Sequence, residues 1–232
     1  MRQKKAVRNH EGDGTSKSKG YIGIGMEGWI ARWYAKTTEK DMAEFRNLAD
    51  RLAKKTPPLS RILEIAPGPG YLSIELAKLG YRITGLDISE SFVEIARERA
   101  RRESVSVDFQ HGNASAMPFD DATFDLTICR AAFKNFSEPG RALNEMWRVL
   151  KPGGRAIIVD LRKDVSPTEI AAYVEKLGLG WFDALFTKMT FRFMLIPRAY
   201  TKDQVAGMAS ESKFGTCEIA GAPAGMEILL RK

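Results

Sequence analysis

The chain has 232 residues, 44% hydrophobic and 28% charged, with 36 Lys and Arg against 29 Asp and Glu for a net charge of +7. That length and composition suit one large domain or two small ones and exclude disorder throughout. Two cysteines, Cys129 and Cys217, exclude a disulfide framework and a four-cysteine zinc site, and no apolar run reaches the ~18 residues of a spanning helix, because the greasiest stretch, 181–197, carries Asp183, Lys188 and Arg192.

The first twenty residues hold six basic side chains (Arg2, Lys4, Lys5, Arg8, Lys17, Lys19) and two acidic ones. They read as a basic, flexible, solvated tail over 1–20, since no aromatic residue interleaves the charges as in a nucleic-acid arm. The tail lacks the apolar core of a signal peptide, so a cytoplasmic setting is expected. A helical cap is expected over 21–58, with Thr38 and Asp41 at capping spacing before Met42, Phe45, Ala49 and Leu52; Pro57-Pro58 ends it.

From residue 59 onward strands and helices alternate. Arg61–Ala66 is a short apolar strand, Pro67-Gly68-Pro69-Gly70 a tight turn, and Tyr71–Leu79 a helix closed by Gly80. Arg82–Leu86 follows as a strand, then a helix from Ser91 to about Arg102 with Ser91 and Glu94 as its capping pair, then a strand over Val105–Phe109. Phe124–Cys129 is the fourth strand, a helix carries Leu143, Met146, Trp147 and Leu150, and Ala156–Val159 is the fifth strand. Such alternation implies a parallel sheet with right-handed crossovers. Ser166-Pro167-Thr168-Glu169 starts another helix, 173–200 is dense in aromatics and methionine, and Thr201 with Gln204 starts a last helix ending near Gly215. Thr216–Ile219 and Met226–Leu230 form a hairpin at the sheet edge.

A parallel sheet binds ligands beyond the carboxyl ends of its strands, so the turn Glu64–Gly70 marks the site. Its backbone amides and the helix behind it suit an anionic group, and Asp87, ending the second strand, is placed to accept from a ribose diol. A nicotinamide dinucleotide and S-adenosylmethionine both use such a pair. The glycine register separates them: a dinucleotide fingerprint requires glycine where Tyr71 stands, whereas acid-x-small-x-Gly-x-Gly fits Glu64, Ala66, Gly68 and Gly70.

Five segments in order then carry a family likeness: Leu63–Gly70, Gly85-Leu-Asp-Ile-Ser89, Gly112-Asn-Ala114, Met117–Asp125 and Leu143–Gly154. Over about residues 30–165 the chain resembles the class I S-adenosylmethionine-dependent methyltransferases, within them the type 11 group that includes ubiquinone and menaquinone methyltransferases. The resemblance implies an α/β, Rossmann-like doubly wound seven-stranded sheet of order 3-2-1-4-5-7-6 with strand 7 antiparallel. It also implies a methyltransferase domain over 59–232 in which 165–200 is a substrate-side lid, and S-adenosyl-L-methionine as cofactor.

Carried over residue by residue, Ala66, Pro67, Gly68 and Gly70 would line the methionine part, Glu64 its amino group, and Asp87 the ribose. Ile88 would pack on adenine, Asn113-Ala114 would meet its edge, Arg130 would lie near the sulfonium, and Tyr34 would close over the cofactor. Ala66 and Asn113 stand where the family has glycine and aspartate; an asparagine carbonyl still accepts a hydrogen bond.

Methyl transfer from a sulfonium rests on alignment, so no catalytic residue is required by the chemistry. Lys134 and Arg130 are the candidates, Lys134 as an anchor for an anionic acceptor, as a desolvated base, or simply as a solvated lysine. Phe133, Lys134, Arg162 and Tyr200 are the candidate acceptor-binding residues. His111 is expected to pack beside the cofactor, the cysteines to be buried, and no metal cluster is visible. The expected partner is a small-molecule acceptor, partly apolar or aromatic. A nucleic-acid or protein methyltransferase is the alternative that the basic tail raises, but no Asn-Pro-Pro-Tyr segment or Pro-Cys nucleophile follows strand 4, so a nucleic-acid partner is not expected. A nicotinamide dehydrogenase conflicts with Tyr71. Oligomeric state is not legible.

Overall fold

A computed structural model describes residues 20–23, 25–39, 42–176, 180–222 and 224–232. Seven strands form one sheet: β1 (Arg61–Ile65), β2 (Arg82–Asp87), β3 (Asp108–His111), β4 (Phe124–Arg130), β5 (Leu150–Leu161), β6 (Glu218–Ala222) and β7 (Gly225–Arg231). Their order is β3-β2-β1-β4-β5-β7-β6, and the pairings between β1, β2, β3, β4 and β5 are parallel while β7 runs antiparallel to both neighbours. The expected fold class and strand order are those observed. Ile62, Leu63 and Ile65 of β1 and Leu126, Ile128 and Cys129 of β4 are fully buried, as strands covered on both faces must be.

Helices cover the two faces. α1 (Gly28–Thr38) and α2 (Met42–Ala53) precede the sheet; α2 packs with α3 (Tyr71–Lys78) through Phe45, Leu48, Leu72 and Leu76. α4 (Glu90–Arg102) lies over β3 through Val93, Ala96 and Phe109. On the other face α5 (Pro139–Val149) contributes Leu143 and Met146, and α8 (Lys202–Glu211) contributes Val205 and Ala209. α6 (Pro167–Lys176) and α7 (Trp181–Thr190) lie between β5 and α8 in the chain. The chain leaves β1 towards β2 and β3 on one side and returns to β4 and β5 on the other, so the crevice of this sheet opens at the carboxyl ends of β1 and β4.

Several local expectations are corrected. The N-cap of α4 is Ser89, whose hydroxyl accepts from Phe92 N at 3.0 Å; Ser91 accepts instead from Gly28 N at 2.9 Å and so ties α1 to α4. Thr38 ends α1 with its hydroxyl bonded back to Tyr34 O, and Asp41 lies outside the described residues. β3 begins at Asp108, where pairing with Thr84 starts; Val105 instead closes α4, its N–H donating to Ala100 O. β5 starts at Leu150, which was expected in the preceding helix, and runs through Pro152-Gly153-Gly154 before the expected Ala156–Val159. The capping boxes at Ser166/Glu169 and Thr201/Gln204 are both formed.

Gly70 shows how tightly the first turn is packed. Its φ is +80°, and a Cβ there would lie 2.7 Å from the Phe109 ring and 2.9 Å from Ala96 Cβ. Gly70→Ala should cost about 2 kcal/mol through left-handed strain and overpacking, read as a lowered midpoint in urea.

Candidate functional site

A cavity of about 550 Å³ opens at the crevice, walled by the β1–α3 turn, the ends of β2 and β4, α1, residues 20–23 and 25–27, and Leu195 and Arg198. The turn is built for close approach. Ala66, Gly68 and Gly70 all have positive φ, and Ala66 carries its methyl at a left-handed position where a non-glycine costs about 1–2 kcal/mol. Ala66 N donates to Leu86 O at 2.8 Å, which fixes the turn against β2. At Gly68 a Cβ would meet nothing closer than the Phe92 ring at 3.9 Å, so this part of the wall is bare backbone.

Two carboxyl groups share the cavity. Asp87 is 5% exposed and accepts from Ser89 N and Gly68 N, both at 2.9 Å, one on each oxygen. Burial outweighs those amides and pushes its pKa up to about 6. Glu64 is 3% exposed, accepts from the Ser73 hydroxyl, and is pushed up to about 7 by burial, against the Ser73 hydrogen bond and the Arg130 charge. Arg130 lies over the Phe45 ring at 4.4 Å and bonds Glu44 at 3.0 Å, so it links β4 to α2.

Of the residues expected to hold the cofactor, Tyr34, Glu64, Ala66, Pro67, Gly68, Asp87, Ile88 and Arg130 line the cavity. Gly70, Asn113 and Ala114 do not. Gly70 sits beneath the turn, and the Asn113 carboxamide accepts from Ser115 N and packs so closely on Gly20 that a Cβ there would come within 2.5 Å of it. Ala114 packs against the core. Of the acceptor candidates only Lys134 reaches the wall. Phe133 is fully buried, with its ring 5.8 Å from that of Tyr200. Arg162 is engaged by Glu169 and Asp164.

Lys134 is not a solvated lysine. It is 4% exposed, pairs with Asp160 at 2.9 Å and donates to Ala131 O. His111 lies off the wall, half exposed, with Nε2 3.1 Å from Ile88 O. Burial pushes the Cys129 thiol up, in keeping with a small hydrophobe rather than a nucleophile. The aromatic stretch is split: Phe191 packs on Tyr173, whereas Trp181, Phe182, Leu185, Met189 and Phe193 are exposed.

Sequence reasoning missed the strap formed by residues 20–23 and 25–27. Tyr21 bridges to Phe136, Ile22 N donates to Asn135 O at 2.9 Å, the Ser89 hydroxyl donates to Met26 O, and Ser91 N donates to a Glu27 carboxylate oxygen at 3.1 Å. Tyr21, Met26, Phe92, Leu195 and Arg198 thereby join the wall. The strap has no periodicity to announce it; its only signal was Tyr21 among glycines. Burial leads the causes that push the Tyr21 phenol up to about 12, so it stays protonated.

Residues 63–158 match the family described as methyltransferase domain. The demethylmenaquinone methyltransferase of Deinococcus radiodurans is 37% identical over 102 residues, which are 43% of this chain and 42% of that protein. The chain spans about half the length of the curated relatives it matches. Among solved structures, a SAM-dependent methyltransferase from Aquifex aeolicus superposes with TM-score 0.60 at 16% identity, over 82% of this chain and 97% of that one. The [4+2]-cyclase SpnF does so with TM-score 0.54 at 23% identity, over 81% of this chain and 80% of that one, which shows how little the fold alone says about the reaction. The matched segment contains the glycine-rich turn, Asp87 and the central strands, so it is over residues 63–158, the part that builds the crevice, that this chain is similar to the methyltransferase domain family.

Proposed function

We propose that the chain binds S-adenosylmethionine in this cavity and transfers its methyl group to a small-molecule acceptor of partly apolar or aromatic character. The observation that carries the proposal is the pair of buried carboxyl groups, Glu64 and Asp87, flanking a bare glycine wall, with Tyr71 buried at the position a dinucleotide fingerprint reserves for glycine. The residues fit the cofactor. Glu64 would receive its ammonium, and Asp87 keeps a second acceptor site on each oxygen for the ribose hydroxyls. Ile88, Tyr34 and the Gly68 backbone would hold adenine and the methionine chain; Asn113 is left out of the cavity wall.

When bound, the cofactor supplies a methyl group on a sulfonium, activated for in-line displacement. The chain's own part is orientation and exclusion of water. The strap and α1 cover the cavity, Phe45, Met26 and Leu195 give it apolar walls, and the Tyr21 phenol can donate to an acceptor oxygen. Among the described residues no histidine lines the wall, and in this reading alignment carries the reaction. In this reading residues 21–58 act as a cap and 165–200 as the acceptor-side lid. That a demethylmenaquinone methyltransferase is among the relatives favours an aromatic acceptor.

Incubation with methyl-labelled S-adenosylmethionine and small phenolic, hydroquinone and amine acceptors tests this. Label should pass to an aromatic acceptor; transfer only to protein or RNA would overturn the acceptor class. Asp87→Ala should weaken cofactor binding by about 1–3 kcal/mol, measured by calorimetry.

A further inference from the structure

We propose that α1, with the basic segment before it, docks this protein on an anionic lipid bilayer surface. Trp29, Arg32, Trp33 and Lys36 fall on one helical face and are all exposed, the indoles by 71% and 57%. The opposite face is seated on the body: Ala31 and Ala35 are buried, and the Tyr71 phenol donates to Ala35 O. Two large indoles therefore stand outward beside two cations. The nearest carboxylates are occupied elsewhere, Glu39 by Arg99 and Glu27 by Ser91 N.

Charge selects the occupant. Before Trp29 the sequence adds six Lys and Arg against three carboxylates, so the indoles are flanked on both sides by positive charge. Tryptophan at the headgroup level with four to eight basic residues beside it is the pattern that anionic leaflets attract. An RNA surface also accepts aromatics and cations, but it stacks rings and gains nothing from aliphatic or thioether side chains. The second exposed face, on α7 and beyond, is Phe182, Leu185, Met189 and Phe193 with Lys188 and Arg192 between them, a composition that suits acyl chains. Tyr34 of α1 and Leu195 after α7 both line the cavity, so the elements that carry the two faces also border it. Among the described residues no helix is long and apolar enough to cross a membrane, and the proposed contact is one of surface side chains with the headgroup region.

Flotation of the full chain with phosphatidylcholine vesicles, and with vesicles containing about 30% phosphatidylglycerol, tests the proposal. Binding should be at least about tenfold tighter on the anionic vesicles, fall with salt, and shift tryptophan emission to the blue. Trp29→Ser/Trp33→Ser should lose about tenfold on them with an unchanged unfolding midpoint, and Lys4→Gln/Lys5→Gln/Arg8→Gln should lose binding mainly at low salt. Equal or absent binding to the two vesicles, full binding by the tryptophan variant, or a dimer or RNA complex that alone shifts the emission would overturn it. The site reading stands or falls separately, since cofactor titration involves none of these residues.

Discussion

Lys134→Met is expected to lower the unfolding free energy by about 3–5 kcal/mol, the cost of stranding one member of a buried ion pair. The ammonium lies 2.9 Å from Asp160, and both side chains are almost wholly out of solvent. Asp160 also accepts from the backbone N–H groups of Lys134 and Leu161 at 2.9 and 2.8 Å, so its carboxylate pins the end of β5 to the loop after β4. Without the cation that carboxylate has two amides but no counter-charge. Lys134→Met/Asp160→Asn should recover most of the loss, because the amide oxygen still accepts while the charge is gone. Urea denaturation measures both variants. Full stability in Lys134→Met with lost turnover would instead show an ammonium free for the acceptor.

Glu64→Gln is expected to stabilise the ligand-free protein by about 3 kcal/mol at pH 8 while weakening cofactor binding at least tenfold. Glu64 is raised from 4.5 to about 7, and Asp87 from 3.8 to about 6. Between the unfolded and raised values the native state holds more protons than the unfolded one, so stability is present at acidic pH and declines as pH rises through the raised value. Removing the ionisable group removes that decline, raising the thermal midpoint by about 5–10 °C at pH 8. The buried carboxylate is costly alone and becomes favourable when a ligand ammonium joins it. Cofactor affinity of the unmodified protein should therefore weaken as pH falls below about 7, with a proton released on binding at neutral pH. A destabilised Glu64→Gln with unaltered affinity would assign Glu64 to the fold.

Much of this was legible because the central strands are apolar runs between strong turn signals. Pro67-Gly68-Pro69-Gly70 and the two capping boxes marked their own boundaries, and the apolar run of β1 stands out against the turn that ends it. The errors arose where side chains compete locally. Ser89 and Ser91 both offer a hydroxyl near the start of α4, and α1 decides which one caps by occupying Ser91. Lys134 reads as an exposed lysine because its partner is distant in sequence, on β5. The strap was invisible for the same reason: its hydrogen bonds run to Ser89, Ser91 and Asn135, contacts no local pattern encodes. The +7 charge, which suggested a polyanion partner, is confined mainly to the first sixty residues, and the rest of the chain is nearly neutral.

In the proposed function this cavity takes a cationic methyl donor rather than a nicotinamide dinucleotide. Calorimetric titration of the full chain with S-adenosylmethionine and with NADH, at pH 7 in two buffers of different ionisation enthalpy, tests it most directly. Saturable binding of S-adenosylmethionine accompanied by proton release, with no binding of NADH, is the predicted result. Saturable binding of NADH with none of S-adenosylmethionine would contradict it.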